Sequence, residues 1–371
     1  MQETPWYQIR NIEQLDSPAL VVFPDRVRQN VERLVTAIDD LGRLRPHVKT
    51  HKSREATQLM LAAGIRKFKC ATIAEAEMLA MVDAPDVLLA YQPVGAKQHR
   101  LIELIETYPQ TTFACLVDNL TTAQQLSERA EAAGIKIPVY VDLNVGMNRT
   151  GIAPNDAVLT LYAELSQLPG VRPVGLHAYD GHIRNPDLAE RTVVCDAAFA
   201  PVQQLAETLV ARGFDRPVIV AGGSPTFPIH ARRQGVECSP GTFIYWDYGY
   251  GTTLAEQPFL HAALVVARVI SLPDATKLCL DLGHKSISAE SDLGHRVTFL
   301  NAPDLRPIGQ SEEHLVVEAR EGHHFAIGDV LYGLPNHICP TCALYERAHT
   351  IENGQVTGEW RTIARDRTIH H

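Results

Sequence analysis

From residue 44 to residue 243 the chain alternates short β-rich runs with longer segments whose apolar positions recur at helical spacing, the pattern of a parallel sheet with crossover helices. Eight β runs can be read: LRPHVK (44–49), KFKCAT (67–72), DVLLAY (86–91), TFACLVD (112–118), IPVYVDLNVG (137–146), VRPVGLHAYDG (171–181), PVIVAGGS (217–224) and ECSPGTF (237–243). Between most of them lie stretches rich in Ala, Leu, Gln and Glu, such as 119–134 and 190–213, the second closed by Gly213 where a helix would end. Eight such units in about 200 residues suit a closed (β/α)8 barrel of the TIM type better than an open doubly wound sheet. After residue 250 the paired helices stop, and strand-like runs at 261–272, 276–283, 313–320 and 329–334 predict a separate C-terminal antiparallel β domain. The linear division is a barrel over 1–250 and a β domain over 251–371, with the first ~20 residues free to pack with the β domain. No internal repeat or low-complexity tract interrupts it.

In a barrel of this kind the chemistry sits where strands break into loops at their C-terminal ends. The first run ends in His47, Lys49 and His51, the fifth passes into a loop carrying Arg149, and the sixth ends in His177, Tyr179 and His182. The seventh and eighth end in AGGSPT and SPGTF, at the two loops where such barrels commonly bind phosphate. Gly222, Gly223, Ser224, Thr226, Gly241 and Thr242 offer the close-approaching N–H groups and hydroxyls that a phosphate needs. Either loop alone reads equally well as an ordinary glycine turn. Lys49, at the end of an apolar strand, points its amine into the site, where desolvation and nearby cations make an amine nucleophilic toward aldehydes. In isolation RPHVKTHK is a solvated basic patch; opposite a phosphate site, a Schiff-base lysine is the sharper reading.

Composition narrows the partners. With 371 residues, 45% hydrophobic and 21% charged, the chain is ordinary for a globular protein and long enough to bury a large core. No apolar run approaches the roughly 20 residues that span a bilayer, and the N-terminal stretch lacks a secretory signal, so a cytoplasmic location is the default. Seven cysteines, an odd number spread along the chain, indicate reduced thiols instead of a disulfide framework. Thirty-four basic against 43 acidic side chains give net −9 with no basic cluster, which favours a small-molecule substrate over nucleic acid.

One further segment, PNHICPTC, offers His337, Cys339 and Cys342. The H-x-C spacing lets two loop-directed side chains face one ion, but the piece lacks the four ligands of a structural zinc site, and unligated core side chains are its plainer reading.

Taken as an ordered set, RPHVKTHK (45–52), VGMNRTG (145–151), LHAYDGH (176–182), AGGSPT, SPGTF and PNHIC (335–339) resemble the D-threonine aldolase and D-serine dehydratase family. These are fold-type III, alanine-racemase-like pyridoxal-phosphate enzymes, and the similarity runs over nearly the whole chain. The resemblance implies an N-terminal barrel, a C-terminal β domain and a homodimer whose active site lies near the partner subunit. It also implies pyridoxal 5'-phosphate held by Lys49 as a Schiff base, with Arg149 beside the pyridine nitrogen. His177 and Tyr179 would lie near the cofactor, and the two Gly/Ser/Thr loops on its phosphate.

A permanently charged guanidinium cannot hand a proton to the ring nitrogen, so the ring would be a weaker electron sink and the substrate would benefit from electrophilic help. The resemblance supplies a source, because family members place a two-residue divalent-metal site at the H-x-C or H-x-D position, here His337 and Cys339. Cysteine favours zinc, with manganese also open. The implied activity is that of a lyase on D-3-hydroxy amino acids. Deprotonation of the β-hydroxyl breaks Cα–Cβ and releases an aldehyde, as from D-threonine to glycine and acetaldehyde. Loss of the α-proton first, with Lys49 a candidate base, leads to dehydration, as from D-serine to pyruvate and ammonia. DLGHKSISAE (281–290) and WDYGYG (246–251) look like the aldolases, whereas Cys339 looks like the dehydratases. The aldolases also carry a histidine base six residues beyond the tyrosine matching Tyr179, where this chain has Asn185, so His182 or His51 would have to serve. Aldol cleavage leads, dehydration is the alternative, and racemisation ranks below both. A non-catalytic carrier of the cofactor would resemble the barrel alone and leave the β domain unexplained.

Overall fold

The structure, a computed structural model, describes residues 5–371 and separates into two compact units. One comprises residues 34–49, 57–241 and 366–371. Its seven parallel strands, Lys67–Cys70, Asp86–Leu89, Thr112–Val117, Ile137–Asp142, Val171–Ala178, Val218–Ala221 and Val236–Cys238, pair in sequence order. Crossover helices alternate with most of these strands, so both faces of the sheet are buried and the strands read as apolar runs such as DVLL and TFACLV. Leu120–Ala132 begins at Asn119, whose side chain accepts from Thr122 N, and Leu188–Ala211 begins at Asp187, which accepts from Glu190 N. The second of these runs on to Gly213 at φ +90°, a left-handed position that glycine adopts without strain.

The expected first strand, 44–49, forms only isolated bridges. Leu44 pairs with Cys238 and His47 with Lys69, both parallel, while Arg45 N donates to Cys238 O at 2.9 Å and Val48 N to Lys69 O at 2.9 Å. The segment thus joins the two edge strands and closes the ring. Pro46 has no N–H to donate, so the segment is one backbone donor short, although the Pro46 carbonyl accepts from Lys69 N at 2.9 Å. Arg45, 1% exposed, strengthens the closure by pairing with Glu237 and Asp86, each at 2.6 Å.

The other unit comprises residues up to 33, 50–56 and 242–365, and holds a nine-stranded sheet. The four expected runs are strands at Ala263–Ser271, Lys277–Leu280, Leu315–Glu318 and Val330–Pro335. The sheet is antiparallel except where Ala19–Val22 runs parallel to Arg347–Glu352. These compact units differ from a cut at residue 250. The apolar strand Ala19–Val22 packs Val21 with Leu264, Val266 and Ile351 inside this sheet, and residues 366–371 belong to the barrel unit. The hairpin Arg347–Glu352 with Gln355–Arg361 was not among the expected strands, although Asn353–Gly354, both at positive φ, is the turn pair that favours a two-residue hairpin. Among the described residues, no helix is long and apolar enough to cross a membrane.

Candidate active site

At the strand ends of the barrel unit three cations surround one aromatic ring. Arg149 Cζ lies 5.0 Å, Lys69 Nζ 5.6 Å and Lys49 Nζ 6.0 Å from the Tyr179 ring centroid. Tyr179 follows directly on the strand Val171–Ala178, and Lys49 ends the closing segment, so the fold brings together three of the residues picked from strand ends and the loops after them, Lys49, Arg149 and Tyr179, with Lys69, which was not among them. Arg149 stands on a loop shaped by Asn144, whose Oδ1 accepts from Gly146 N at 3.1 Å and Asn148 N at 2.9 Å. The loop closes at Gly151, at φ +90°, where a Cβ would meet the Leu143 carbonyl carbon at 2.7 Å. His182 is exposed beside the same loop, its Nε2 2.5 Å from where a Cβ on Gly146 would stand.

Below this group lies a buried pair. His177 Nδ1 is 2.7 Å from Asp142 Oδ1. Burial opposes charging both groups, and the outcome differs between them: His177 is held below the ordinary imidazole range, and hydrogen bonds from His177 and Thr150 still hold Asp142 below the usual carboxylate range. The pair is therefore a neutral imidazole donating from Nδ1 to a carboxylate, which leaves Nε2 as an acceptor. That Nε2 is buried and has no hydrogen-bond partner among the described residues. An unpaired buried acceptor is costly, and a polar ligand is what would satisfy it.

The two glycine loops meet, since Gly241 N donates to Ser224 Oγ at 3.3 Å. A Cβ on Gly223 would lie 3.2 Å from the Tyr179 ring, and one on Gly222 would run into His230 at 2.7 Å and Thr226 Oγ1 at 2.8 Å, so the backbone approaches closely where a phosphate would sit. Ser239 Oγ, on the second loop, is buried without a partner among the described residues. Thr226 points elsewhere: its hydroxyl donates to buried Asp180 at 2.7 Å and accepts from Gly223 N at 3.3 Å. It therefore shapes the loop from behind. Asp180 also pairs with His230 Nε2 at 2.8 Å. With Cys195, Asp180 and His230 are close enough together to hold an ion. Arg233, however, places Nη1 2.5 Å from His230 Nδ1 and 3.6 Å from Cys195 Sγ, and burial and Asp180 push the thiol up to about 12. A guanidinium beside a protonated thiol makes this cluster a clamp on the loop, poorly suited to a cation.

The better metal donors lie in the other unit. Cys339, 9% exposed, is 3.0 Å from Thr50 Oγ1 and 3.7 Å from Thr242 Oγ1, so the Thr242 hydroxyl faces this sulfur. His337 pairs through Nδ1 with Glu290. Burial disfavours its charged form, but the hydrogen bond and charge of Cys339, with Glu290 and Asp247, lift it to about 9. Asp247, pushed up to about 6 by burial, accepts from Tyr250 N at 3.0 Å and Ile338 N at 3.1 Å and so pins the residue between His337 and Cys339. One imidazole and one sulfur, flanked by a carboxylate that orients the imidazole, fit a soft divalent ion with open coordination positions. Cys342 is 1% exposed and burial pushes its thiol well up, which leaves it a core side chain. His51, in the same unit, is 2% exposed with its ring against Tyr245; burial lowers it to about 3, leaving a neutral, weakly basic imidazole.

Reading strand ends missed Lys69, Asp142 and Asp180. Asp142 ends the otherwise apolar run IPVYVD, and a lone charge in a strand buried on both faces was the available signal; Lys69 shares KFKC with Lys67, and Asp180 follows the end of the strand Val171–Ala178, so neither stood out in this way.

Residues 22–249 match the family model for the alanine racemase N-terminal domain and residues 262–351 that for a serine dehydratase domain. The chain is 30% identical to a D-threonine aldolase of Arthrobacter sp, covering 95% of this chain and 94% of that one. It superposes on the crystal structure of D-threonine aldolase from Filomicrobium marinum with a TM-score of 0.86 and 26% identity, covering 94% and 95% of the two chains. A mutant D-threo-3-hydroxyaspartate dehydratase in the metal-free form gives a TM-score of 0.81 and 26% identity, covering 94% and 97%. The chain belongs to the D-threonine aldolase and D-serine dehydratase family of fold-type III, alanine-racemase-like pyridoxal-phosphate lyases.

Proposed function

We propose that this chain is a lyase, dependent on pyridoxal phosphate and a divalent metal, that cleaves D-threonine-like D-3-hydroxy amino acids to glycine and an aldehyde. The observation that carries the reading is the convergence of Lys49 and Arg149 on the Tyr179 ring, beside a glycine backbone that approaches the same ring. When bound, the cofactor supplies the electron sink that weakens bonds at Cα, and zinc or manganese supplies Lewis acidity at the β-hydroxyl.

The residues divide the remaining work. Lys49 offers the amine for the cofactor aldehyde, and the backbone of Gly222, Gly223 and Gly241, with Ser224, holds the phosphate. Arg149 donates toward the ring nitrogen without protonating it. His177, its tautomer fixed by Asp142, presents Nε2 as an acceptor. His337 and Cys339 hold the ion, which must displace the proton that His337 otherwise carries. His182, exposed beside the Arg149 loop, suits the role of base better than sealed His51. A homodimer, which rests on the family resemblance, and the default cytoplasmic location are part of the same reading.

Dehydration is the second reading, favoured by sulfur at position 339. Cofactor- and metal-loaded enzyme given D-threonine is expected to release glycine and acetaldehyde. Ammonia with a 2-oxo acid, from D-threonine or D-serine, would select dehydration, and turnover of neither substrate would overturn the proposal.

A further inference from the structure

The Tyr179 ring has two lysines against it, and the reading above uses one. Lys69 lies on the strand Lys67–Cys70 at 2% exposure, paired across a parallel bridge to His47, two residues before Lys49. Its Nζ is 5.6 Å from the Tyr179 centroid, against 6.0 Å for Lys49. Among the described residues no hydrogen bond or ion pair compensates its burial. The charged groups that face it are Lys49 and Arg45 from the closing segment, Asp142 from Ile137–Asp142, and Asp180 beyond the end of Val171–Ala178, with His177 also in range. Burial and the Lys49 charge outweigh the pull of Asp180 and Asp142 and lower the Lys69 amine to about 7. A buried ammonium without a partner is costly, and a neutral amine beside a second lysine is a proton acceptor in place.

We propose that Lys69 is a second functional amine of the cofactor pocket, the group that takes up the proton Lys49 must shed before its nitrogen attacks the aldehyde of pyridoxal phosphate. The inference rests on Lys49 being the cofactor-linked lysine. The transfer conserves charge: Lys49 ammonium and Lys69 amine become Lys49 amine and Lys69 ammonium. The freed lone pair then forms the carbon–nitrogen bond, the carbonyl bond breaks, and its oxygen leaves as water with the two protons of the neutral amine. Lys69 is a positioning and proton-accepting residue for loading and for each return of Lys49 to the cofactor.

The test follows the visible band of lysine-linked cofactor as apoenzyme meets pyridoxal phosphate, over a range of pH, for wild type, Lys69→Met and Lys69→Gln. Loss of a positioned base should slow band formation at neutral pH by about tenfold or more in both variants and move their rate profiles to higher pH. Rates and profiles that coincide with wild type would overturn the proposal. If wild type forms no such band, or borohydride fixes the cofactor on a residue other than Lys49, it is the assignment of Lys49 that fails. Should both variants misfold, ¹⁵N-lysine NMR of the wild-type apoenzyme decides instead: the Lys69 nitrogen is expected to titrate near neutral pH, and titration at the ordinary lysine value of about 10.4 would overturn the role.

Discussion

Burial alone would push Asp142 toward its neutral acid, but the His177 and Thr150 hydrogen bonds hold its carboxyl below the usual range. A carboxyl whose native value is depressed contributes stability that is full above the unfolded value of about 3.9 and is lost as pH falls through the native one. Asp142→Asn should therefore lower the urea midpoint at neutral pH, by an amount corresponding to about 1.5–3 kcal/mol, with the gap to wild type narrowing below about pH 4. A gap that is equal at both ends would mean that the carboxylate charge is not what the pair uses. At this scale the site was legible by residue type and less so by partner. The glycines of AGGSPT approach closely, as their type suggested, yet the Thr226 hydroxyl goes to Asp180, 46 positions earlier in the chain, and no local pattern carries that information. Lys69 was hidden for a related reason: a lysine in KFKC looks solvated until the strand is known to be buried on both faces.

The closing segment 44–49 holds the ring with two backbone hydrogen bonds to each neighbouring edge, from Arg45 N and His47 N on one side and between Lys69 and both Pro46 and Val48 on the other, and Arg45 adds a side-chain tie across the same closure. Arg45 meets Glu237 on one side and Asp86 on the other, all within the barrel unit. Arg45→Ala strands the nearly buried Glu237 with Lys67 as its remaining partner, and should cost about 3–5 kcal/mol in urea unfolding. Arg45→Leu combined with Glu237→Leu should recover a large part of that loss, and a double variant no better than Arg45→Ala would refute this account of the closure. Elements of the barrel were legible because parallel strands covered by helices carry long apolar runs bounded by turn residues. Val297–Phe299 and Arg306–Gln310 were not, being short and partly exposed strands that carry no such run.

Across the whole molecule the chain passes between its two units at 33/34, 49/50, 56/57, 241/242 and 365/366, an interleaving that periodicity read locally cannot reveal. One consequence concerns the β unit, where Ala19–Val22 pairs with both Ala263–Ser271 and Arg347–Glu352. A chain of residues 251–371 alone lacks that central strand and should show no cooperative thermal transition by circular dichroism; a sharp transition would mean the C-terminal strands suffice. Lys49, Arg149, His177, Tyr179 and the loop residues Gly222, Gly223, Ser224 and Gly241 fall in one unit and the His337–Cys339 pair, with Thr242, in the other, so cofactor and metal should be separable losses. The direct test is to strip divalent metal from the cofactor-loaded enzyme and follow both the visible band and glycine release from D-threonine. The account predicts that the band persists, that glycine release stops, and that zinc or manganese restores it; undiminished glycine release from enzyme shown to be metal-free would contradict it.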